Sequence, residues 1–180
     1  MAETKRLFVA VELPSELRHR LHLLTRELPQ DAIKAVEEEN IHITLKFLGD
    51  VQEEKIKEIT ERLGKISFSP FHCTVSGVGV FPNQDYIRVV WAGLQNNEIS
   101  LLAEEVERAL SGIGKKEDRE FLAHITIARV RKKIDVRNFL SKHANESFGD
   151  FYISDFVLME SQLGREGPTY TVIKKFTLEN

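Results

Sequence analysis

The chain lacks most features that would indicate an exported, membrane-bound or cofactor-dependent protein. Cys73 is its only cysteine, so neither an intramolecular disulfide nor a cluster of thiolate metal ligands can form. No apolar run approaches the roughly 18 residues of a membrane-spanning helix. A G-x-x-x-x-G-K-[ST] phosphate loop and an aromatic RNA-recognition motif are also absent. We therefore expect a cytoplasmic protein without membrane contact, and a nucleoside-triphosphate enzyme is disfavoured.

The chain also lacks an excess of either charge. Its 25 lysines and arginines against 28 acidic residues give a formal net charge of −3, so the whole molecule does not attract polyanions. Any contact with nucleic acid must be local. With 42% hydrophobic residues in 180, the chain can bury a sizeable core. We expect a single domain spanning 1–180, as a monomer with no implied protein partner.

Strand and helix patterns alternate along the chain, and their order occurs twice. The first half predicts strands over 6–13, 41–48 and 71–81, with helices over 15–28 and 53–63. The second half predicts strands over 86–92, 122–130 and 151–162, with helices over 99–110 and 136–144. Matching landmarks in the two halves lie about 80 residues apart. The sequence therefore contains an internal duplication.

This order predicts an α+β fold, a bilobal pseudo-twofold duplication of a β-α-β-α-β unit. Helices between strands favour parallel neighbours, whereas a hairpin signal from 151 through Tyr170 to 178 favours antiparallel pairing. We expect two mixed or antiparallel sheets that face a central cleft, with the helices outside. Gly77 and Gly79 in the third strand indicate a bulge or a close backbone approach. The charged loop over 115–120 implies no chemistry.

The most informative pattern is HITL at 42–45, which recurs as HITI at 124–127. Successive side chains of a strand point to opposite faces, so His42 and Thr44 share one face, as do His124 and Thr126. A single H-x-T is most often a strand with an incidental histidine. Its duplication at matching positions favours a site in which two imidazoles and two hydroxyls meet across the cleft.

Such a site suits displacement at a phosphodiester. A base must take a proton from the attacking water and an acid must protonate the leaving oxygen, and imidazole can do either near neutral pH. The threonine hydroxyls can donate hydrogen bonds to the non-bridging oxygens. Neither motif contains Asp, Glu or Cys, so two histidines alone are a poor ligand set and no metal or other cofactor is expected.

Further residues are candidates for substrate binding. Arg129 lies an odd number of residues after His124, so a regular strand would turn it away from the catalytic face unless the strand twists or bulges. It begins the densest basic run, 129–133, which could follow an RNA backbone or be a solvated face. Arg165 and Tyr170, near the chain's end, could supply a forked phosphate contact and a stacking surface at the cleft mouth.

Other conspicuous side chains have ordinary structural interpretations. Apolar strand positions usually pack in a core, and this is the better interpretation of three aromatic residues: Phe47, Phe81 and Trp91. On a regular strand Phe47 shares its face with Ile43 and Leu45 rather than with His42. Four further histidines lie on predicted helices or on a strand without the motif, and we expect them to be surface or edge residues: His19, His22, His72 and His143.

The chain resembles the 2H phosphoesterase superfamily, and within it the RNA 2′,3′-cyclic phosphodiesterases, historically called 2′-5′ RNA ligases. The likeness spans nearly the whole sequence, as RLFVAVELP, NIHITLKFLGDV, GVFPN, YIRVVWAGL, FLAHITIARV and GPTY. Only the two H-x-T motifs are diagnostic of chemistry. One departure is Ala123, where members often carry proline before the second histidine.

The resemblance implies metal-independent hydrolysis of a terminal RNA cyclic phosphate to a 2′-phosphomonoester. It makes His42 the proton donor to the leaving 3′ oxygen and His124 the base that activates water. The expected partner is RNA with a 2′,3′-cyclic phosphate end, such as a tRNA fragment or a nucleotide. Two alternatives stay open: a 2′-5′ ligase joining that end to a 5′-hydroxyl, and a module that binds RNA ends without turnover.

Overall fold

A computed structural model describes residues 2–115 and 120–179 of the chain. The charged loop predicted over 115–120 falls largely outside these residues. Within them no helix is long and apolar enough to cross a membrane. The helices are α1 (Ser15–Leu24), α2 (Ile56–Gly64), α3 (Glu98–Ala109) and α4 (Arg137–His143). The strands are β1 (Thr4–Glu12), β2 (Ile33–Ala35), β3 (His42–Gln52), β4 (Phe71–Asn83), β5 (Tyr86–Gln95), β6 (His124–Val130), β7 (Ser147–Ile153), β8 (Asp155–Gly164) and β9 (Gly167–Thr177).

The strands form two sheets, which confirms the predicted α+β fold. One sheet has four strands in the order β3-β1-β8-β9, and the other has five in the order β2-β6-β5-β4-β7. Every pairing between the described strands is antiparallel. The parallel pairing that the intervening helices favoured does not occur among them. Short strand β2 has only three residues, too few to show a periodicity, and the sequence did not predict it.

The duplicated halves exchange their third strands. β8 of the second half pairs with β1 in the sheet that contains β3, and β4 of the first half pairs with β5 in the sheet that contains β6. The strand predicted over 151–162 is therefore wrong as a single element. It is two strands, β7 beside β4 and β8 beside β1, with the chain passing between sheets at Ser154.

One continuous hydrophobic core joins the sheets to the helices. α3 packs near β3 and α2 near β9, whereas α1 packs near β7 and α4 near β4, so two helices accompany each sheet. The predicted helical stripe is fully buried: Leu17, Leu21, Leu24 and Leu28. Ile59 and Leu63 of α2 are buried as well. Burial of such side chains contributes about 1.5–3 kcal/mol each.

A second, smaller apolar cluster lies on the other face of the four-stranded sheet. Alternation along β1 sends Leu7, Val9 and Val11 into the main core and Phe8 and Ala10 to the opposite side. There the latter two contact a set from the neighbouring strands: Val157, Met159 and, partly buried, Tyr170. We call this side the cleft face, because the first H-x-T motif also lies on it.

The two glycines of β4 confirm the expected bulge and close approach. Gly77 has φ +72° and lies at a shift in the β4–β5 register. Gly79 faces its cross-strand partner Trp91, whose indole covers it so closely that a Cβ would lie 2.1 Å from Cζ2. Only glycine leaves room for the ring in this position.

We predict that Gly79→Ala displaces Trp91 and destabilises the protein by about 1–3 kcal/mol, the usual cost of overpacking. Trp91 is the only tryptophan, so its emission spectrum reports the displacement directly. Gly64→Ala is the matched control, since nothing lies within 4 Å of its added methyl. Thermal unfolding and fluorescence check both variants. An unchanged midpoint and spectrum for Gly79→Ala would contradict the described packing.

Candidate active site

The two H-x-T motifs begin the strands β3 and β6, which we call the motif strands. They belong to different sheets but approach each other, with Cα atoms within 8 Å. In each, the histidine and the threonine are half-buried while the residues between and after them are buried. The structure therefore brings His42, Thr44, His124 and Thr126 to the region between the sheets.

Each motif strand contains a bulge one residue after its threonine. In β3, Thr44 pairs with Ala10 and Lys46 with Val9, so Leu45 is an extra residue. In β6, Thr126 pairs with Trp91 and Ala128 with Val90, so Ile127 is the extra residue. A bulge shifts the alternation of the side chains that follow it by one position, in β3 as far as the next shift at Leu48. The duplication thus includes a departure from regular strand geometry as well as a sequence motif.

The bulges place Phe47 and Arg129, which occupy equivalent positions, on the same face as the histidines. Leu45 and Lys46 are both buried, and Phe47 is then 56% exposed. Ile127 and Ala128 are likewise buried, and Arg129 is exposed. The prediction that Phe47 packs in the core is therefore wrong, because the bulge reverses the alternation on which it was based.

Both motif histidines are oriented in the same way by the backbone. Nδ1–H of His42 donates to the carbonyl oxygen of Asn40 at 2.6 Å, and Nδ1–H of His124 donates to that of Leu122 at 2.7 Å. Since a carbonyl only accepts, Nδ1 carries the hydrogen, and Nε2 is the nitrogen that can exchange a proton with a ligand. In the first motif Nε2 lies 2.7 Å from Oγ1 of Thr44.

Aromatic rings surround both imidazoles. His42 lies 5.1 Å from Phe8 and 5.4 Å from Tyr170 between ring centroids, the latter edge-on. His124 lies 4.9 Å from Phe81, almost perpendicular, and 6.4 Å from Trp91. Phe81 and Trp91 are only partly buried. We expected these two rings to pack in the core, but they lie beside His124 instead.

Electrostatic interactions connect groups of both motif strands. Burial of the imidazole lowers the pKa of His42, partly opposed by its hydrogen bond to Asn40, and the positive charges of Arg129 and His124 lower it further. Burial raises the pKa of Tyr170, against an opposing effect of Arg129. Arg129 therefore faces the cleft near His42 and Tyr170, although it belongs to the other motif strand.

Asn40 links the first motif to the β8–β9 hairpin. Its side chain is nearly inaccessible, and its Nδ2–H donates to the carbonyl oxygen of Pro168 at 2.9 Å. The same residue holds Nδ1 of His42 through its backbone. The hairpin that carries Tyr170 is thus fixed against the strand that carries the histidine. Sequence patterns did not identify Asn40, since a lone Asn before a strand has many ordinary roles.

The remaining candidate is Arg165, at the exposed tip of the β8–β9 hairpin. No described contact connects it to either histidine, so its phosphate contact stays a prediction. His19, His22 and His72 are not in the cleft: His19 faces Glu38, His22 faces the backbone of Val36, and His72 lies against Tyr152.

His143 departs from the surface role expected for it. It is 3% exposed, and its Nδ1 contacts Glu146 while its Nε2 lies 3.2 Å from both carboxylate oxygens of Glu27. Lys142 also pairs with Glu27, and this ion pair chiefly lowers the pKa of that carboxyl. The partner Glu27 is 116 residues away, so no local pattern could reveal the pairing.

Two H-x-T strands on a duplicated, strand-exchanged scaffold define the two-histidine class of phosphoesterases. The chain belongs to the LigT like Phosphoesterase family, whose model matches residues 11–91 and 93–170. The resemblance noted in the sequence is therefore confirmed.

Curated relatives and solved structures agree with this membership. A protein of Archaeoglobus fulgidus named RNA 2′,3′-cyclic phosphodiesterase is 42% identical over 95% of this chain and 99% of its own length. One of Escherichia coli with the same name is 31% identical over 99% of both chains. A crystal structure of E. coli LigT complexed with 3′-AMP superposes with a TM-score of 0.84 and 28% identity, over 99% of this chain and all of the other.

We predict that Arg129→Met raises the pKa of His42 towards its ordinary value. The arginine's charge opposes protonation of the imidazole, so its removal makes the charged ring less unfavourable. Histidine ¹⁵N chemical shifts followed against pH measure the change. Arg88→Met is the control, because Arg88 contacts Tyr86 at the exposed end of β5. Equal shifts in the two variants, or none with Arg129→Met, would contradict the proximity of Arg129 and His42.

Proposed function

We propose that this chain is an RNA 2′,3′-cyclic phosphodiesterase that works by two-histidine acid and base catalysis without a metal. The carrying observation is that both motif histidines are held through Nδ1 and coupled by charge. The names of the curated relatives support the choice of substrate. Family membership and fold alone would support only a phosphoesterase.

The reaction needs one acid and one base on opposite sides of phosphorus. Nε2 of His124 accepts a proton from water, whose oxygen bonds to phosphorus. The bond between phosphorus and the 3′ oxygen breaks, and Nε2 of His42 donates a proton to that oxygen. The products are a 2′-phosphomonoester and a free 3′-hydroxyl. A proton passes from His124 to His42 through solvent to restore the starting state.

Binding of the anion prepares His42 for its role as acid. In the free protein its lowered pKa favours the neutral ring. A cyclic phosphate brings a negative charge between the two motif strands, which opposes the effects of Arg129 and His124 and raises the pKa of His42. The imidazole therefore gains its proton together with the substrate that needs it.

The other cleft residues bind the substrate in this proposal. Thr44 and Thr126 donate hydrogen bonds to the non-bridging oxygens, and Arg129 balances the charge that develops there. Phe47 offers an exposed ring, 6.1 Å from that of Phe8, on which a base can stack. Tyr170 covers the edge of His42. We also propose that Arg165 contacts the phosphate at the cleft mouth and that the protein is a cytoplasmic monomer.

We predict that His42→Ala and His124→Ala each reduce opening of an RNA 2′,3′-cyclic phosphate at least about 10²-fold, the usual contribution of one acid or base. His72→Ala is the matched control, since this exposed histidine lies outside the cleft. EDTA should have no effect, and the product should carry a 2′-phosphate. Full activity in either motif variant would contradict the proposal, and loss in EDTA would contradict metal independence.

A sulfur-substituted substrate separates the two roles. When the 3′ bridging oxygen is sulfur, the leaving group needs no protonation, so this substrate should restore turnover by His42→Ala but not by His124→Ala. The reverse result would exchange the two roles. Products joined to a supplied 5′-hydroxyl RNA would favour the ligase, and saturable binding without any product would favour the binding module.

A further inference from the structure

The face of the five-stranded sheet that carries His124 and Arg129 has more positive charge than one cyclic phosphate requires. Lys34, on the edge strand β2, is the direct cross-strand partner of Arg129, so the two side chains lie on the same face. The next pair, Ile33 and Val130, packs into the main core, as alternation requires. Lys34 is thus a cation beside Arg129 that the proposed reaction does not use.

Arg131 continues this row of cations. Its backbone N–H donates to the carbonyl oxygen of Ala32 at 2.7 Å, so the β2–β6 pairing extends one residue beyond the end of β6. Arg131 lies two residues after Arg129 and hence on the same side of the strand. Two residues along a strand span about 6.6 Å, and cross-strand neighbours lie about 5 Å apart. The three cations therefore form a compact row.

These cations are available to a ligand. Lys34, Arg129 and Arg131 are all exposed. Within the described part of the chain neither arginine forms an ion pair. Lys34 faces Glu37 at 3.6 Å, with both side chains about half exposed (45% and 50%), and such a pair contributes little and exchanges readily. The neighbouring Lys132 is instead paired with Asp31 at 3.8 Å.

The part of β3 that follows its H-x-T motif has no such row of cations. There Phe47 replaces Arg129, and Asp50 follows with Arg6 as its partner. The symmetric scaffold thus carries aromatic rings beside β3 and cations beside β6. Because the whole protein has a net charge of −3, this local row is where a polyanion would be attracted.

We propose that Lys34 and Arg131 form a second phosphate subsite, which binds the phosphodiester adjoining the terminal cyclic phosphate. This inference rests on the proposed function and specifies its substrate class. The preferred substrate is the end of an RNA chain, whose penultimate phosphate lies along the β2–β6 edge, rather than a free cyclic nucleotide.

The test compares a nucleoside 2′,3′-cyclic phosphate with a short oligoribonucleotide that ends in the same group. The wild-type protein should have the higher kcat/KM for the oligonucleotide. The K34Q/R131Q variant should reduce that preference about fourfold at low salt, roughly twofold for each exposed cation lost. The slope of log kcat/KM against log salt should fall by about 0.7 per cation. K57Q/K65Q, with the same change of charge on and just after α2, should retain the preference.

The outcomes separate the two proposals. If the wild-type protein opens both substrates but K34Q/R131Q lowers kcat/KM for both equally, the second subsite is overturned and the proposed function stands. Equal loss of preference in K57Q/K65Q would also overturn it, because net charge alone would then explain the effect. If the wild-type protein opens neither substrate, the proposed function itself fails.

Discussion

The arrangement of the cleft depends on one extra residue in each motif strand. Without the bulges at Leu45 and Ile127, alternation would place Phe47 and Arg129 in the core with the buried residues that precede them. A buried, unpaired guanidinium would be strongly destabilising. The bulges therefore allow a third cleft-facing position beyond H-x-T in each half. Because that position is a ring in one half and a cation in the other, a symmetric scaffold presents an asymmetric site.

Strand exchange holds this site together. Each sheet contains strands from both halves, so the halves cannot separate without breaking the antiparallel pairs of β8 with β1 and of β4 with β5. Backbone carbonyls then fix both imidazoles through Nδ1, and Asn40 fixes the hairpin beside the first. Acid and base catalysis requires such positioning, since small displacements of the reacting groups reduce the rate steeply.

Sequence periodicity predicted the strands and helices far better than it predicted side-chain positions that depend on bulges or on distant contacts. Three predictions from sequence patterns agree with the structure: the repeat of about 80 residues, the face shared by His42 and Thr44, and the close approach at Gly79. The sequence left the orientation of Arg129 open, and the predicted orientation of Phe47 was wrong. Both predictions assumed regular alternation, and no sequence pattern shows where a strand contains an extra residue. The burial of His143 depends on Glu27, which only the tertiary fold brings near.

The central claim, that one phosphate lies between His42 and His124, is tested most directly by titrating the ¹⁵N-histidine-labelled protein with a nucleoside 2′-phosphate. The account predicts that the Nε2 resonances of both residues shift together with a single dissociation constant, while those of His72 stay unchanged. Shifts at only one motif histidine, or two different dissociation constants, would contradict a shared site.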